Sequence, residues 1–226
     1  MSAPQEDDEA FRARVVAEVP AGYSPTLHVA VPAAIGLGLA AVGASMLERV
    51  RWWEWLVVPI VWVASNATEW RAHKGLLHKR TPPLGALYDR HTPVHHRFFT
   101  EDRMAIRSSR ELILVLLPAW GIGAIAAVVA PIAVGLWWLG QRNAAGLFLA
   151  TTMLYVLSYE WLHLAYHLPP SSWVGRLALV RALGRHHARH HDPRLMRRWN
   201  FNVTVPLWDW VRGTIHRPGS AASSRV

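Results

Sequence analysis

The sequence predicts an all-α integral membrane protein, with four transmembrane helices in two hairpins and a helical, histidine-rich cap on the cytoplasmic side. Three observations predict it. Four apolar blocks approach membrane length and carry no charge in their interiors. Lysine and arginine fall almost wholly on one side of those blocks. Eleven of the 13 histidines lie in two short windows, residues 73–96 and 163–191, each directly after an apolar block.

Composition narrows the chemistry. The 226 residues are 52% hydrophobic and only 17% charged, with 13 tryptophans. There is no cysteine, which removes disulfides, thiolate zinc sites, iron–sulfur clusters and thiolate haem. A bound metal must therefore use histidine, carboxylate or water. The net charge of +9 raises a nucleic-acid reading, but the basic residues flank apolar blocks, as in a protein seated against anionic lipid, and no nucleic-acid partner is expected. No secretory signal is visible: the chain opens acidic, with Glu6, Asp7, Asp8 and Glu9, and lacks an apolar core there.

Taken in order, residues 1–26 read as a mobile cytoplasmic tail with a short helix near 11–19. Residues 27–47 form the first span: about 20 apolar residues at ~1.5 Å each give ~30 Å, one hydrocarbon thickness. Its one ionisable group, His28, is at the edge. Residues 52–66 are the second span, with Trp52, Trp53 and Trp55 as interfacial anchors and Glu54 among them. The block is short, so its helix is expected to continue into Glu69 and His73. Residues 112–138 read as one kinked or tilted helix carrying Pro118 and Pro131. Residues 144–159 are the fourth span and run straight into Glu160, His163 and His167. The membrane domain is thus placed at 27–216, and 217–226 are expected to be disordered. Basic residues number 21 in the tails and polar stretches against three in the two short links, which puts both termini and both histidine sets in the cytoplasm.

The halves echo each other at an offset of about ninety residues. Glu69-Trp70, His73, His78, Pro82-Pro83 and then His91, His95, His96 are matched by Glu160-Trp161, His163, His167, Pro169-Pro170 and then His187, His190, His191. His163 and His167 share a helix face, as do His187, His190 and His191. His73 and His78, five apart, stand roughly 140° apart on an ideal α-helix, so they need a local distortion or serve different metals. Neutral imidazole suits transition metals, and ten such ligands exceed the roughly four to six that one ion takes, so two ions are expected. Glu69 and Glu160, one turn before each set, either accept a hydrogen bond from a ligand imidazole or are membrane-edge charges paired with a base such as Arg71. Asp192 either orients a ligand or caps the next segment before Pro193. His186 reads as a neighbour of the ligands or a surface group, and His28 and His216 as interfacial.

The four boxes, H-x4-H at His73 and His78, H-x3-H-H at His91, His95 and His96, H-x3-H at His163 and His167, and H-x2-H-H at His187, His190 and His191, resemble those of the fatty acid hydroxylase superfamily, which includes sterol desaturases and carotene hydroxylases. The stretch from Asn200 through Phe201, Asn202, Pro206, Trp208 and Asp209 to Gly213-Thr214 resembles the N-F-G-x-x-x-P-x-W-D…G-T tail of that family. Asn202 departs from the usual glycine; asparagine is the next most tolerant of positive φ.

The resemblance covers residues 69–214. It implies a di-iron site on the ten boxed histidines, with Glu69, Glu160, His186, Asp192 and Asn200 just outside them, and a membrane lipid as substrate. It also implies O2 as co-substrate and electrons from an external donor, ferredoxin or a cytochrome b5-like protein with its reductase, since neither a cytochrome b5-like domain nor a His-Pro-Gly-Gly haem motif is seen. The expected reaction is hydroxylation of an aliphatic C–H in a fatty acyl chain, sterol or carotenoid. Desaturation by the same machinery is the nearest alternative. A histidine-rich metal-binding or transport protein and a membrane-anchored zinc hydrolase are readings of other classes. Iron is the contribution of the resemblance, because imidazole alone does not choose between iron and zinc.

Overall fold

The computed structural model describes residues 7–217, and among them every regular element is helical. In chain order these are α1 (Asp8–Ala17), α2 (Pro25–Ser45), α3 (Val57–Ala72), α4 (Gly85–Arg90), α5 (His96–Phe98), α6 (Leu112–Val115), α7 (Ala119–Trp138), α8 (Arg142–His167), α9 (Ala178–His190) and α10 (Leu207–Arg212). Two π-helical turns, His73–Leu77 and His91–His95, continue α3 and α4. The expected disorder of the C-terminal tail falls almost wholly on residues 218–226, outside the described residues.

Three stretches are long and apolar enough to cross a membrane: Pro25–Ser45, Ser109–Trp138 and Arg142–His167. Their outer faces leave Leu27, Leu37, Val42, Trp120, Val128 and Ile132 exposed, a surface that suits lipid better than water. The fourth expected span is shorter than the others. α3 has 16 residues, about 24 Å of helix, preceded by the 3-10 turn Glu54–Leu56, and it packs against α8 beside α2 and α7.

α8 is the post on which α2, α3 and α7 lean. Small residues make the closest of these contacts. A Cβ on Gly43 of α2 would stand 2.6 Å from the Gly146 carbonyl oxygen and 2.8 Å from the Ala150 nitrogen of α8, so backbones meet where a side chain would part them.

Two expectations are corrected. The single kinked helix over 112–138 is instead broken at residues 116–118, where Leu116 and Pro118 are extended. Proline disfavours helical backbone in the residue before it and cannot donate, so α6 ends and α7 restarts after Pro118. The freed groups find partners. Leu117 N–H donates to Glu160 Oε2 at 2.8 Å, His28 Nε2 lies 3.2 Å from the Leu117 carbonyl, and Arg90 donates to the carbonyls of Ile113 and Leu116. Pro131, by contrast, is held inside α7.

Within the N-terminal stretch, expected to be a mobile tail with a short helix near 11–19, Asp8–Ala17 is a docked helix. Asp7 caps α1 by accepting from Ala10 N–H at 2.7 Å, and Asp8 and Glu9 complement the helix dipole. Phe11 and Val15 enter a core with Phe98, Phe99 and Val115, and Arg12 forms a buried ion pair with Glu111 at 2.6 Å.

Gly43→Val should lower the thermal midpoint of the detergent-solubilised protein, by about 1–3 kcal/mol of overpacking. Gly38→Ala, whose Cβ meets nothing within 4 Å, should leave it unchanged.

Candidate metal centre

The ten boxed histidines gather into two groups of five, in each of which the ligand nitrogens lie within 4.8 Å of one another. The grouping does not follow the halves of the sequence. His73, His78, His91 and His96 are joined by His190, and His163, His167, His187 and His191 are joined by His95. Each half lends one imidazole to the other.

Local backbone explains how. In α8 and α9 the pairs His163/His167 and His187/His191 are four apart, so an ordinary α-helix brings each pair to one face. In the first half the pairs are five apart. The π turn over His73–Leu77 widens the helix so that His73 and His78 stack with ring centres 5.2 Å apart. The π turn over His91–His95 does the same for His91 and His96, whose Nε2 atoms come within 3.0 Å. This is the local distortion that the five-residue spacing requires.

Tautomers follow from the partners of Nδ1. Backbone carbonyls can only accept, so an Nδ1 on a carbonyl carries the hydrogen and leaves Nε2 as a lone pair. His73 donates to the Phe201 carbonyl, His95 to Leu114 at 2.9 Å, His167 to Met104 at 2.7 Å, His190 to Trp199 at 2.9 Å and His191 to Phe99 at 2.6 Å. Thr92 gives its own hydroxyl hydrogen to the Leu77 carbonyl at 2.6 Å and so accepts from His78 Nδ1 at 3.0 Å.

His78 Nε2 and His190 Nε2 are therefore both lone pairs, and they face each other at 2.9 Å. That contact is not a hydrogen bond; it is a repulsion unless a cation lies between. Two imidazole nitrogens at right angles on one ion, each ~2.1 Å from it, would stand ~3.0 Å apart, the separation of this pair and of the 3.1 Å His73/His91 and His187/His191 pairs. In the second group, Nε2 of His95, His163 and His167 is buried without a partner. Leaving such a group unpaired costs about 1–3 kcal/mol each.

The electrostatics agree. Burial pushes the His73 imidazole down to about 4 and the His78 imidazole down to about 2, with neighbouring imidazoles adding to the second. It holds His91, His96, His187, His190 and His191 well below the ordinary range. Neutral, fixed and convergent imidazoles are the donor set of a transition-metal site.

The outer residues act mainly on backbone. Neither Glu69 nor Glu160 has an imidazole among its hydrogen-bond partners. Glu69 takes Val203 N–H, Thr204 N–H at 3.1 Å, the Thr204 hydroxyl at 2.6 Å and the Tyr155 hydroxyl. It thereby holds the loop whose Phe201 carbonyl orients His73. Glu160 holds Leu117 N–H, three residues past the Leu114 carbonyl that orients His95. Each glutamate acts on a ligand through a backbone segment. Asp192 accepts from its own turn, from Arg194 N–H at 2.8 Å and from the Arg194 side chain, which is the capping alternative. His186 binds Asp209 at 3.1 Å and points to no metal group. Asn200, at φ 58°, donates to the His186 carbonyl at 3.0 Å and accepts from His216 N–H at 2.7 Å. It, not Asn202, takes the left-handed backbone. Asn202 uses its amide instead, donating to the Asn66 carbonyl at 3.0 Å and accepting from Asp209 N–H at 3.0 Å. His28, read as interfacial, sits on the α6–α7 break.

Sequence reading missed Asn66, Tyr155, Thr92 and the role of Asp209. Asn66 is fully buried in α3 and binds Tyr155, Thr204, the Val205 carbonyl and Trp208 N–H. A lone amide in an apolar block was the available signal. Asp209, fully buried, accepts from Phe201 N–H at 3.0 Å, Asn202 N–H at 2.7 Å and the Thr214 hydroxyl at 2.6 Å. Burial alone would raise its carboxyl, but donors including His186 and Thr214 hold it below the usual range.

Asp209→Ala strands two buried N–H groups and should destabilise the protein by about 3 kcal/mol or more, read as thermal unfolding. Trp210→Ala, at a side chain 68% exposed, should stay within about 0.5 kcal/mol.

No curated protein and no solved structure matches the chain. The family model described as fatty acid hydroxylase matches residues 58–214, a span that starts in α3, ends at Thr214 and takes in all ten histidines of the two groups. With more than half its length matched, the chain belongs to the fatty acid hydroxylase family.

Proposed function

We propose that this protein is a membrane di-iron oxygenase that hydroxylates an aliphatic C–H of a lipid. The observation that carries the reading is the pair of Nε2 lone pairs of His78 and His190 facing each other at 2.9 Å, beside a second, equally convergent group. Family membership supports iron, and the apolar helices support a lipid substrate. The overall change is C–H plus O2, two electrons and two protons giving C–OH and water.

Iron held by the two groups would supply O2 activation. The chain's own part is positional. Backbone carbonyls keep Nδ1 protonated and Nε2 free for a metal on His73, His95, His167, His190 and His191, and the Thr92 hydroxyl does so for His78. Phe99 and Phe201, both fully buried, pack on His167 and His190 with ring centres 4.3 Å and 5.6 Å away and exclude water from the imidazoles. With no carboxylate in either group, the donor set is neutral and the ligands themselves do not compensate the charge of a bound ion. The basic polar stretches support a cytoplasmic site and cytoplasmic termini, with α3 as a fourth, short span.

Metal analysis tests the cross-pairing. The purified protein should carry about two ions, and His190→Ala or His95→Ala alone should each remove about one. Joining His190→Ala to His73→Ala should still leave one ion, whereas joining His190→Ala to His95→Ala should leave none. Pairing by sequence halves predicts that His190→Ala with His73→Ala removes both.

Labelled oxygen gas tests the reaction. Given iron, O2 and a reductant, label should enter a new lipid hydroxyl. A double bond without label would make the chain a desaturase, and label from water would end the oxygenase reading.

A further inference from the structure

We propose that the outward face of α9 is the docking surface for an acidic one-electron carrier protein, a proposal that rests on the oxygenase reading and names the partner of that site. α9 has two faces. Inward it presents His187 and His190, both fully buried, with His191 directly following. Outward it presents Arg181, Arg185 and Arg189 at four-residue intervals, a single stripe, the first two exposed.

Among the described residues the stripe has no carboxylate partner. Several other arginines are paired, Arg12 with Glu111, Arg80 with Asp89, Arg103 with Asp8 and Arg107 with Glu9. Among the described residues of the region from α9 onward, Asp192 is taken by Arg194 and Asp209 by His186, and no carboxylate meets Arg181, Arg185 or Arg189. Like charges four apart oppose helix formation, and α9 has no acidic residue in its first turn to offset Arg181. The helix that carries metal-binding histidines thus presents uncompensated positive charge outward, which complements an acidic partner.

The stripe is also close to the centre. It and the histidines are separated by one helix, roughly 10 Å across. Arg181 and Arg185 edge a groove of about 610 Å³ whose wall includes Met104, the carbonyl partner of His167, and Tyr166, whose ring lies 5.6 Å from His187. Glu101 and Asp102 share that groove with Arg12, Arg103 and Arg107, which are paired to Glu111, Asp8 and Glu9, so the unpaired basic charge at its edge is that of the α9 ridge. The bilayer is the poorer occupant. The exposed large apolar residues Trp173, Leu177 and Leu179 stop at the start of α9, and only Ala178 and Ala182 accompany the arginines on the outward stripe.

Each docking would pass one electron, lost by the carrier and accepted by metal held on the ten histidines. Two dockings supply the two electrons of a turnover, and the two protons come from water.

The test uses the iron-loaded full chain in zwitterionic nanodiscs, titrated with two probes, a plant-type [2Fe–2S] ferredoxin and a soluble cytochrome b5 haem domain. At least one should bind with a Kd on the order of micromolar, weakening about tenfold between 50 and 300 mM salt. Arg181→Glu with Arg185→Glu should raise that Kd at least about tenfold at unchanged iron content, and Arg181→Gln with Arg185→Gln should do so less. The ratio of carrier-driven to dithionite-driven turnover should fall in parallel. Binding of neither carrier, or wild-type affinity in the charge-reversed protein, overturns the proposal. So does a loss of affinity confined to phosphatidylglycerol vesicles, which assigns the stripe to lipid. A wild-type protein that binds the carrier but oxidises no lipid with dithionite retains the docking surface and loses the oxygenase reading.

Discussion

The structure depends on one constraint: every inward imidazole must be neutral and must offer a lone pair. An imidazole has one hydrogen to place, and a carbonyl on Nδ1 decides where it goes. The carbonyls that do this belong to Phe99, Met104, Leu114, Trp199 and Phe201, none of them within the α-helices that carry His163, His167, His187 and His190. Irregular backbone must therefore be held as firmly as helix. That is the work of the buried polar network. Asp209 takes two N–H groups of the 200–205 loop, Glu69 takes two more, and Glu160 takes the one freed at the α6–α7 break. The tail motif is the scaffold of one side of the centre, and its chemistry is spent on backbone.

The same constraint accounts for the crossing of the halves. A ring of five nitrogens cannot be drawn from one helix, because an α-helix offers one face and a pair four apart. Each group therefore needs a helical pair from two elements and a fifth imidazole from elsewhere. His95 and His190 serve because each lies one residue from a partner that points the other way: His95 beside His96, His190 beside His191. Adjacent residues on a helix differ by about 100°, enough to place neighbours on two ions. The stacked rings of His91 on His95 and His96 on His191, with centres 5.1 Å and 4.3 Å apart, are the seam where the groups meet.

What was legible in the sequence was periodicity and its failures. The apolar blocks located α2, α7 and α8, and the four-residue histidine spacings located faces. The five-residue spacing announced a distortion, and the π turns supply it. The pairing of His95 and His190 across halves was not legible, since nothing local says which ion a residue faces once the backbone leaves ideal geometry. The partners of the glutamates, read as either a ligand imidazole or a base such as Arg71, were hidden for the same reason: a position one turn before a histidine says the side chain is close, while its partners, Val203 and Leu117, are 134 and 43 residues away. The docking of α1 was hidden because Phe11 and Val15 are too few to make a pattern, and their partners Phe98 and Val115 come from distant segments.

On the proposed topology, helix lengths set the centre against the bilayer. α7 has 20 residues, about 30 Å, and so runs one hydrocarbon thickness from Trp138 to Ala119. α8 starts four residues later and reaches Glu160 after about 28 Å of helix. Measured from their shared link, the α6–α7 break and Glu160 come to the same height, as the 2.8 Å bond from Leu117 N–H to Glu160 requires. Both then lie at the hydrocarbon edge, and the broken backbone is met there by Glu160, His28 and Arg90 rather than by lipid. His163 is one helical turn further along α8. On the proposed topology a carbon held in the outermost hydrocarbon is thus about one turn of helix from the nearest imidazole. An aliphatic chain can reach the centre by rising a few ångströms along α8 without crossing the basic cap, whereas a water-soluble substrate would have to pass the cap and the phenylalanines that seal it.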